Sequence, residues 1–211
     1  MAATKLSNLF ITGCDANRQW QLPWFVDNFK KHNPKAELLI YDFGMKENSF
    51  SNISVKHLSQ DKGWFKKPSA MMKASLIADK VCWLDTDCEV RSNIEDIFNH
   101  TEPNKLCMVE DVPWSKRRGE TWHNSGVVAF QGTPNILGEW ATEVSYNPKV
   151  GDQEVLHTML SDPLKRIIHI KDISREYNTL RIDLIDNTAP KNIKVMHWTG
   201  VKGNDYIKGL L

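Results

Sequence analysis

Short apolar runs alternate along this chain with amphipathic stretches. Leu6 to Thr12 is an apolar run that stops at Gly13, and it predicts a strand followed by a tight turn. Leu22, Phe25, Val26 and Phe29 then fall at i, i+3, i+4 and i+7, with Pro23 suited to a first turn. That helix ends at Asn33-Pro34, because the residue before proline is pushed out of the helical region. Glu37 to Asp42 predicts the next strand, closed by Gly44. After a looser polar stretch, Pro68 opens a second helix with Met71, Ala74, Ile77 and Ala78 on one face. It feeds directly into an apolar run, Val81 to Val90, read as a buried strand. Further strands are predicted at 106–110, 127–131, 166–170 and 192–197, and helices at 135–144 and 152–161. Strand, helix, strand in this order predicts an α/β domain with a mainly parallel sheet and right-handed crossovers. Ligands are then expected at the carboxyl ends of the strands. No repeat, low-complexity tract or linker divides the 211 residues, so the whole chain reads as a single domain.

Composition narrows the functional classes. A formal net charge of +1 gives no electrostatic case for a nucleic acid or a membrane surface as partner. No apolar run approaches membrane-spanning length. The start, Met1-Ala2-Ala3-Thr4-Lys5, lacks the apolar core of a signal peptide, which predicts a cytoplasmic protein and gives little weight to the sequons at Asn52 and Asn99. Cys14, Cys82, Cys88 and Cys107 show no close metal-ligand pairing, and the last three sit in or beside apolar runs as small hydrophobes.

Within the run Val81 to Val90, Asp85-Thr86-Asp87 places two carboxylates one residue apart at the expected exposed end of a buried strand. Such carboxylates need a neutralising partner, and a hard divalent cation meets that need. In a chain with 26 acidic residues the same spacing also arises by chance, so other segments must support it. Thr12-Gly13-Cys14-Asp15 ends the first strand in small and polar residues and could receive a nucleoside. Lys67, just before Pro68, could reach a ribose or phosphate oxygen. Asn124 stands at the entrance of an apolar strand, where its amide can donate to and accept from sugar hydroxyls. Asp152 and Gln153 open a helix, so part of their signal is plain helix initiation. His197 offers an imidazole far from the carboxylates, Gly200 frees the backbone, and Lys202 offers a point charge to phosphate.

Taken in order, these segments resemble the GT-A-fold glycosyltransferases, and within them the glycogenin-like, family 8 group, over about residues 4 to 203. Asp85-Thr86-Asp87 resembles the family's Asp-x-Asp motif, and Asn124-Ser125-Gly126-Val127 its Asn-(Ser/Ala)-Gly-Val segment. Gly151-Asp152-Gln153 is similar to its Gly-Asp-Gln segment, and His197 to Lys202 to its terminal His-x-x-Gly-x-Lys. Lys67 matches the basic position ahead of the metal-site strand. The resemblance implies a Rossmann-like nucleotide-diphospho-sugar transferase domain, with a nucleotide-binding half at about 4–90 and a sugar and acceptor half at about 105–203. It implies Mn²⁺ or Mg²⁺ held by Asp85, Asp87 and His197, and a UDP-sugar donor contacted by Thr12, Gly13, Cys14, Asp15, Lys67, Asp85, Thr86, Gly200 and Lys202. Asn124, Asp152 and Gln153 would act at the reacting centre, and transfer would retain the anomeric configuration. The sequence departs from the family after Lys202, where Gly203-Asn204 replaces the usual Pro-Trp.

The acceptor is open. Glu110 to Gly119, a charged and aromatic stretch ahead of Asn124, is read as a loop that could contact it. Asp152 or Glu154 as a general base would instead give inversion. A metal-dependent hydrolase of nucleotide sugars and a non-catalytic nucleotide-sugar-binding module use the same segments and remain as alternatives.

Overall fold

The computed structural model describes residues 5–46, 54–57 and 66–211. Residues 1–4, on which the leader expectation partly rests, and Asn52 of the first sequon lie outside them. In chain order the elements are β1 (Leu6–Cys14), α1 (Leu22–His32), β2 (Leu38–Asp42), β3 (Ser54–His57), α2 (Lys67–Ser75), β4 (Ala78–Leu84) and β5 (Cys88–Val90). There follow β6 (Leu106–Glu110), α3 (Val112–Arg118), β7 (His123–Gln131), α4 (Asn135–Tyr146), α5 (Asp152–Met159) and α6 (Pro163–His169). The chain ends with β8 (Ile170–Asp172), β9 (Thr179–Leu180), α7 (Arg181–Ile185), β10 (Val195–His197) and α8 (Gly200–Lys208).

Seven strands form the central sheet in the order β3-β2-β1-β4-β7-β6-β8. All neighbours are parallel except at β7, which runs against both β4 and β6. The mainly parallel α/β sheet expected from the sequence is what the chain forms. Its central strands are buried on both faces, which is why they read as continuous apolar runs. Leu9, Ile11, Val81 and Trp83 point to a layer with Met71 of α2 and Ile136, Leu137 and Trp140 of α4. Phe10, Cys82 and Leu84 point the other way, into Leu22, Phe25 and Phe29 of α1. Each such side chain taken from water contributes about 1.5–3 kcal/mol. All four cysteines are free and buried.

A second, three-stranded sheet, β5-β10-β9, stands beside the first. Two amides of α1 and its end fasten the segment that leads away from it. Asn28 Oδ1 accepts from the Val90 N–H at 2.8 Å, and Asn33 Oδ1 accepts from the Ile94 N–H at 2.9 Å.

Three expectations are corrected. The run Val81 to Val90 is two strands, not one: β4 belongs to the large sheet and β5 to the small one, and Asp85-Thr86-Asp87 is the turn between them. Residues 166–170 are mostly the helix α6, because Asp162 accepts from the Leu164 N–H at 2.8 Å and Pro163 occupies the first helical turn. That cap outweighs the strand preference of Ile167, Ile168 and Ile170. The stretch read as a loop at Glu110 to Gly119 holds the helix α3, capped by Asp111 and stopped by Gly119 at φ +71°.

Candidate active site

β1 and β4 run parallel and end together, so Gly13, Cys14 and Asp15 come to stand near Asp85, Thr86 and Asp87. These residues line a cleft of about 410 Å³ together with Arg18, Gln21, Phe43, Lys67, Trp83 and Asp152. Phe43 and Trp83 stack at its floor, ring planes 4° apart. Lys67, on the first turn of α2, is buried, and its Nζ lies 3.1 Å from Asp85 Oδ1 and 2.9 Å from Asp152 Oδ2. It also donates to the Ser125 carbonyl and hydroxyl, both at 3.1 Å. Burial works against the ammonium charge, but the Asp152 and Asp85 carboxylates outweigh it and its pKa is raised. Asp152 Oδ2 is buried against the Lys67 ammonium, and the residue lines the cleft.

Asp85 Oδ1 also accepts from the Trp83 indole N–H at 2.6 Å. Asp87 reaches toward β10, where its Oδ1 lies 3.1 Å from His197 Nε2, and Asp85 Oδ2 lies 3.9 Å from the same nitrogen. Burial would favour a neutral ring, yet Asp87 raises the His197 pKa. Burial pushes the Asp87 carboxyl up, His197 and more weakly Arg18 outweigh it, and the net direction is down. Two carboxylates and an imidazole form an oxygen-rich donor set that suits Mn²⁺ or Mg²⁺. Cys88 Sγ also lies near Asp87 and His197. Its thiol faces the Gly126 carbonyl at 3.8 Å, and burial with the two aspartates raises its pKa.

Behind His197 runs a buried amide chain. His197 Nδ1 lies 3.0 Å from Asn178 Oδ1, and Asn178 Nδ2 donates to Asn124 Oδ1 at 2.9 Å. Asn124 Oδ1 also accepts from the Gly126 N–H at 2.9 Å, while its Nδ2 donates to Asp111 Oδ2 at 3.3 Å. Gly126 is required here: a Cβ on it would meet His197 Cε1 at 2.1 Å. Asn124 lies within β7 rather than at its entrance, because the strand begins at His123.

Gln153 Oε1 accepts from the Ser125 N–H at 3.2 Å, and its Nε2 donates to Asp111 Oδ2 at 3.4 Å. Asp152 and Gln153 are neighbours on α5, yet they face different spaces. Asp152 lines the first cleft, whereas Gln153 and Asn124 line a second of about 380 Å³ with Asp111, Trp114, Arg117, Trp122 and Glu154.

Three of the sequence-chosen positions, Thr12, Gly200 and Lys202, stand apart. Thr12 is fully buried under the first cleft, and Lys202 is exposed on α8; among the described residues neither lines either cleft. Gly200 begins α8 with φ +74°. The cleft cation not foreseen is Arg18, whose guanidinium donates to Asn204 Oδ1 at 2.6 Å. Gln21 Nε2 donates to the same oxygen at 2.9 Å, and its Oε1 accepts from the Thr86 hydroxyl at 2.7 Å. Asn204 thus has a job in the site where the family pattern has a different residue. Nothing local in the sequence marks Arg18 or Asn178, but Asp111-Val112-Pro113 carries the signal of a capped helix start.

No protein-family model and no curated protein matches the sequence. Solved structures do match the fold. The galactosyltransferase LgtC, in complex with donor and acceptor sugar analogues, superposes with a TM-score of 0.65 at 14% identity, over 91% of this chain and 87% of that one. A glycosyltransferase involved in glycosylation of the major capsid of PBCV-1 gives 0.63 at 13% identity, over 96% and 99%. The glycosyltransferase GlyE of Streptococcus pneumoniae gives 0.66 at 16% identity, over 93% of this chain but 55% of that one. The fold is that of the GT-A glycosyltransferases. Among the described residues no helix is long and apolar enough to cross a membrane.

Proposed function

We propose that this protein, a member of the glycogenin-like, family 8 group within the GT-A fold, is a metal-dependent glycosyltransferase that takes a UDP-hexose as donor. One observation carries the reading: Asp87 Oδ1 and Asp85 Oδ2 lie 3.1 and 3.9 Å from His197 Nε2 beside a cleft in which the buried ammonium of Lys67 is tied to Asp85 and Asp152. Bound there by Asp85, Asp87 and His197, Mn²⁺ or Mg²⁺ would supply Lewis-acid stabilisation of the departing diphosphate.

The chain's own groups do the rest. The small residues Gly13 and Cys14, with Asp15 and Phe43, receive the nucleoside at the ends of β1 and β2. Arg18, at the mouth, supplies the second positive charge that the resemblance assigned to Lys202. Asp152, held in place by Lys67 at the cleft, orients the sugar through its carboxylate. Retention is taken from the resemblance; of the two alternative bases, Asp152 is ion-paired with Lys67 at 2.9 Å and Glu154 lines the second cleft. The acceptor enters the aromatic cleft, so that the sugar crosses where Asp152 and Gln153 turn their backs on one another.

A panel of UDP-sugars incubated with the protein and Mn²⁺ tests the reading through release of UDP. One sugar is expected to support release, faster in the presence of candidate acceptors, and proton NMR of the product should show the donor's anomeric configuration kept. No release from any UDP-sugar would overturn the donor assignment. Release that no acceptor accelerates, with free sugar as the product, would identify a hydrolase.

A further inference from the structure

The amide chain behind His197 has a fixed polarity, and the polarity can be read from its ends. Asp111 Oδ2, as a carboxylate, only accepts, so Asn124 must turn its NH₂ to it. Asn124 Oδ1 therefore faces the opposite way, where the Gly126 N–H, which can only donate, confirms the orientation. The next group bonded to that oxygen is Asn178, which must present its own NH₂. Asn178 Oδ1 is then left facing His197 Nδ1 at 3.0 Å, and an amide oxygen can only accept. The proton in that contact sits on Nδ1. Asn178 and Asn124 are both buried, so water offers no competing arrangement.

We propose that Asn178 is a positioning residue that keeps a proton on His197 Nδ1, so that Nε2, which faces Asp87 Oδ1 at 3.1 Å, is the nitrogen that gives up its proton to bind a cation. A metal-ligating imidazole needs this arrangement, and a fixed partner on its other nitrogen sets ring angle as well as tautomer. The same chain links the cation side of the first cleft to Asn124 and Gln153 in the second through Asp111. The inference rests on the metal reading above and adds to it a residue that no motif marks.

Mn²⁺ binding to the full chain with no donor present, followed by electron paramagnetic resonance of the free ion, tests it. Asn178→Ala should weaken Mn²⁺ binding by about tenfold or more, the usual effect of losing such a partner. Asn178→Asp retains an acceptor for Nδ1–H and should bind Mn²⁺ to within about threefold of the unaltered protein, while losing the donor that reaches Asn124. Equal binding by Asn178→Ala and the unaltered protein would overturn the proposal, and so would equal weakening in both variants, the pattern of a general packing defect. If Asn178→Ala does not fold, the Asp variant still decides. A second readout needs no variant: with Mg²⁺ bound, ¹⁵N NMR of His197 should find the proton on Nδ1, and a proton on Nε2 would overturn the inference. Failure of the metal reading looks different, because the unaltered protein and Asp87→Asn would then bind Mn²⁺ equally, or not at all.

Discussion

The two clefts are lined by neighbouring residues of α5, Asp152 in the first and Gln153 in the second, but they are built by different means. The first is made at strand ends and is locked by charge: Lys67 between Asp85 and Asp152, His197 against Asp87. Its groups are buried or nearly so, and their geometry is over-determined. The second is made by helices, with Trp114 and Arg117 on α3, Gln153 and Glu154 on α5, and Ile182 on α7. Its rim is more exposed, and Arg118 lies over the Trp114 ring at 4.7 Å. The contrast matches the demands of the proposed reaction. A diphosphate needs fixed charges at fixed distances, whereas an acceptor needs a face that can be exchanged without disturbing them.

The comparison is broken most directly at Asp87. Asp87→Asn keeps the fold but should reduce UDP release by about 10²–10³-fold, the scale of losing one strong electrostatic contributor; near-normal release with Mn²⁺ present would remove Asp87 from the site. Lys67→Met attacks the charge lock itself. It leaves Asp85 and Asp152 without their shared buried partner, so denaturant unfolding should show a loss of about 3–5 kcal/mol. A loss below about 1 kcal/mol would mean the lock contributes little beyond a surface pair.

Arg18→Ala and Lys202→Ala set structure against resemblance. A kinetic KM for donor raised about tenfold by the first and less than about twofold by the second is the expected result. The reverse order would return the phosphate role to Lys202. The second cleft gives the weaker test: Trp114→Ala should raise the acceptor KM by about fivefold, the scale of losing an aromatic contact, with UDP binding unchanged. Weakened UDP binding would show that the clefts are not separable.

What was legible in the sequence follows the same division. β1, α1, β2 and the end of β4 could be read because buried strands and an amphipathic helix leave periodic apolar positions, and two carboxylates at the end of such a run stand out. Asn178 could not be read in this way. Asn178 acquires its role from Asn124, 54 residues before it, and His197, 19 residues after it. Neither separation leaves a local pattern. Residues 166–170 show the opposite failure, a clear local pattern that a capping Asp162 and a well-placed Pro163 overrode. The Lys202 assignment rested on motif order alone, and α8 carries that side chain to solvent while Asn204 and Arg18 meet beside the cleft.

The central claim is that the nucleotide is held through a cation shared by Asp85, Asp87 and His197. Isothermal titration of UDP into the protein, with Mn²⁺ and then with EDTA, tests it most directly. The account predicts binding with Mn²⁺ that EDTA abolishes or weakens by at least about tenfold, the cost of removing about 1.4 kcal/mol of metal-mediated attraction. Equal UDP affinity in both conditions would contradict it.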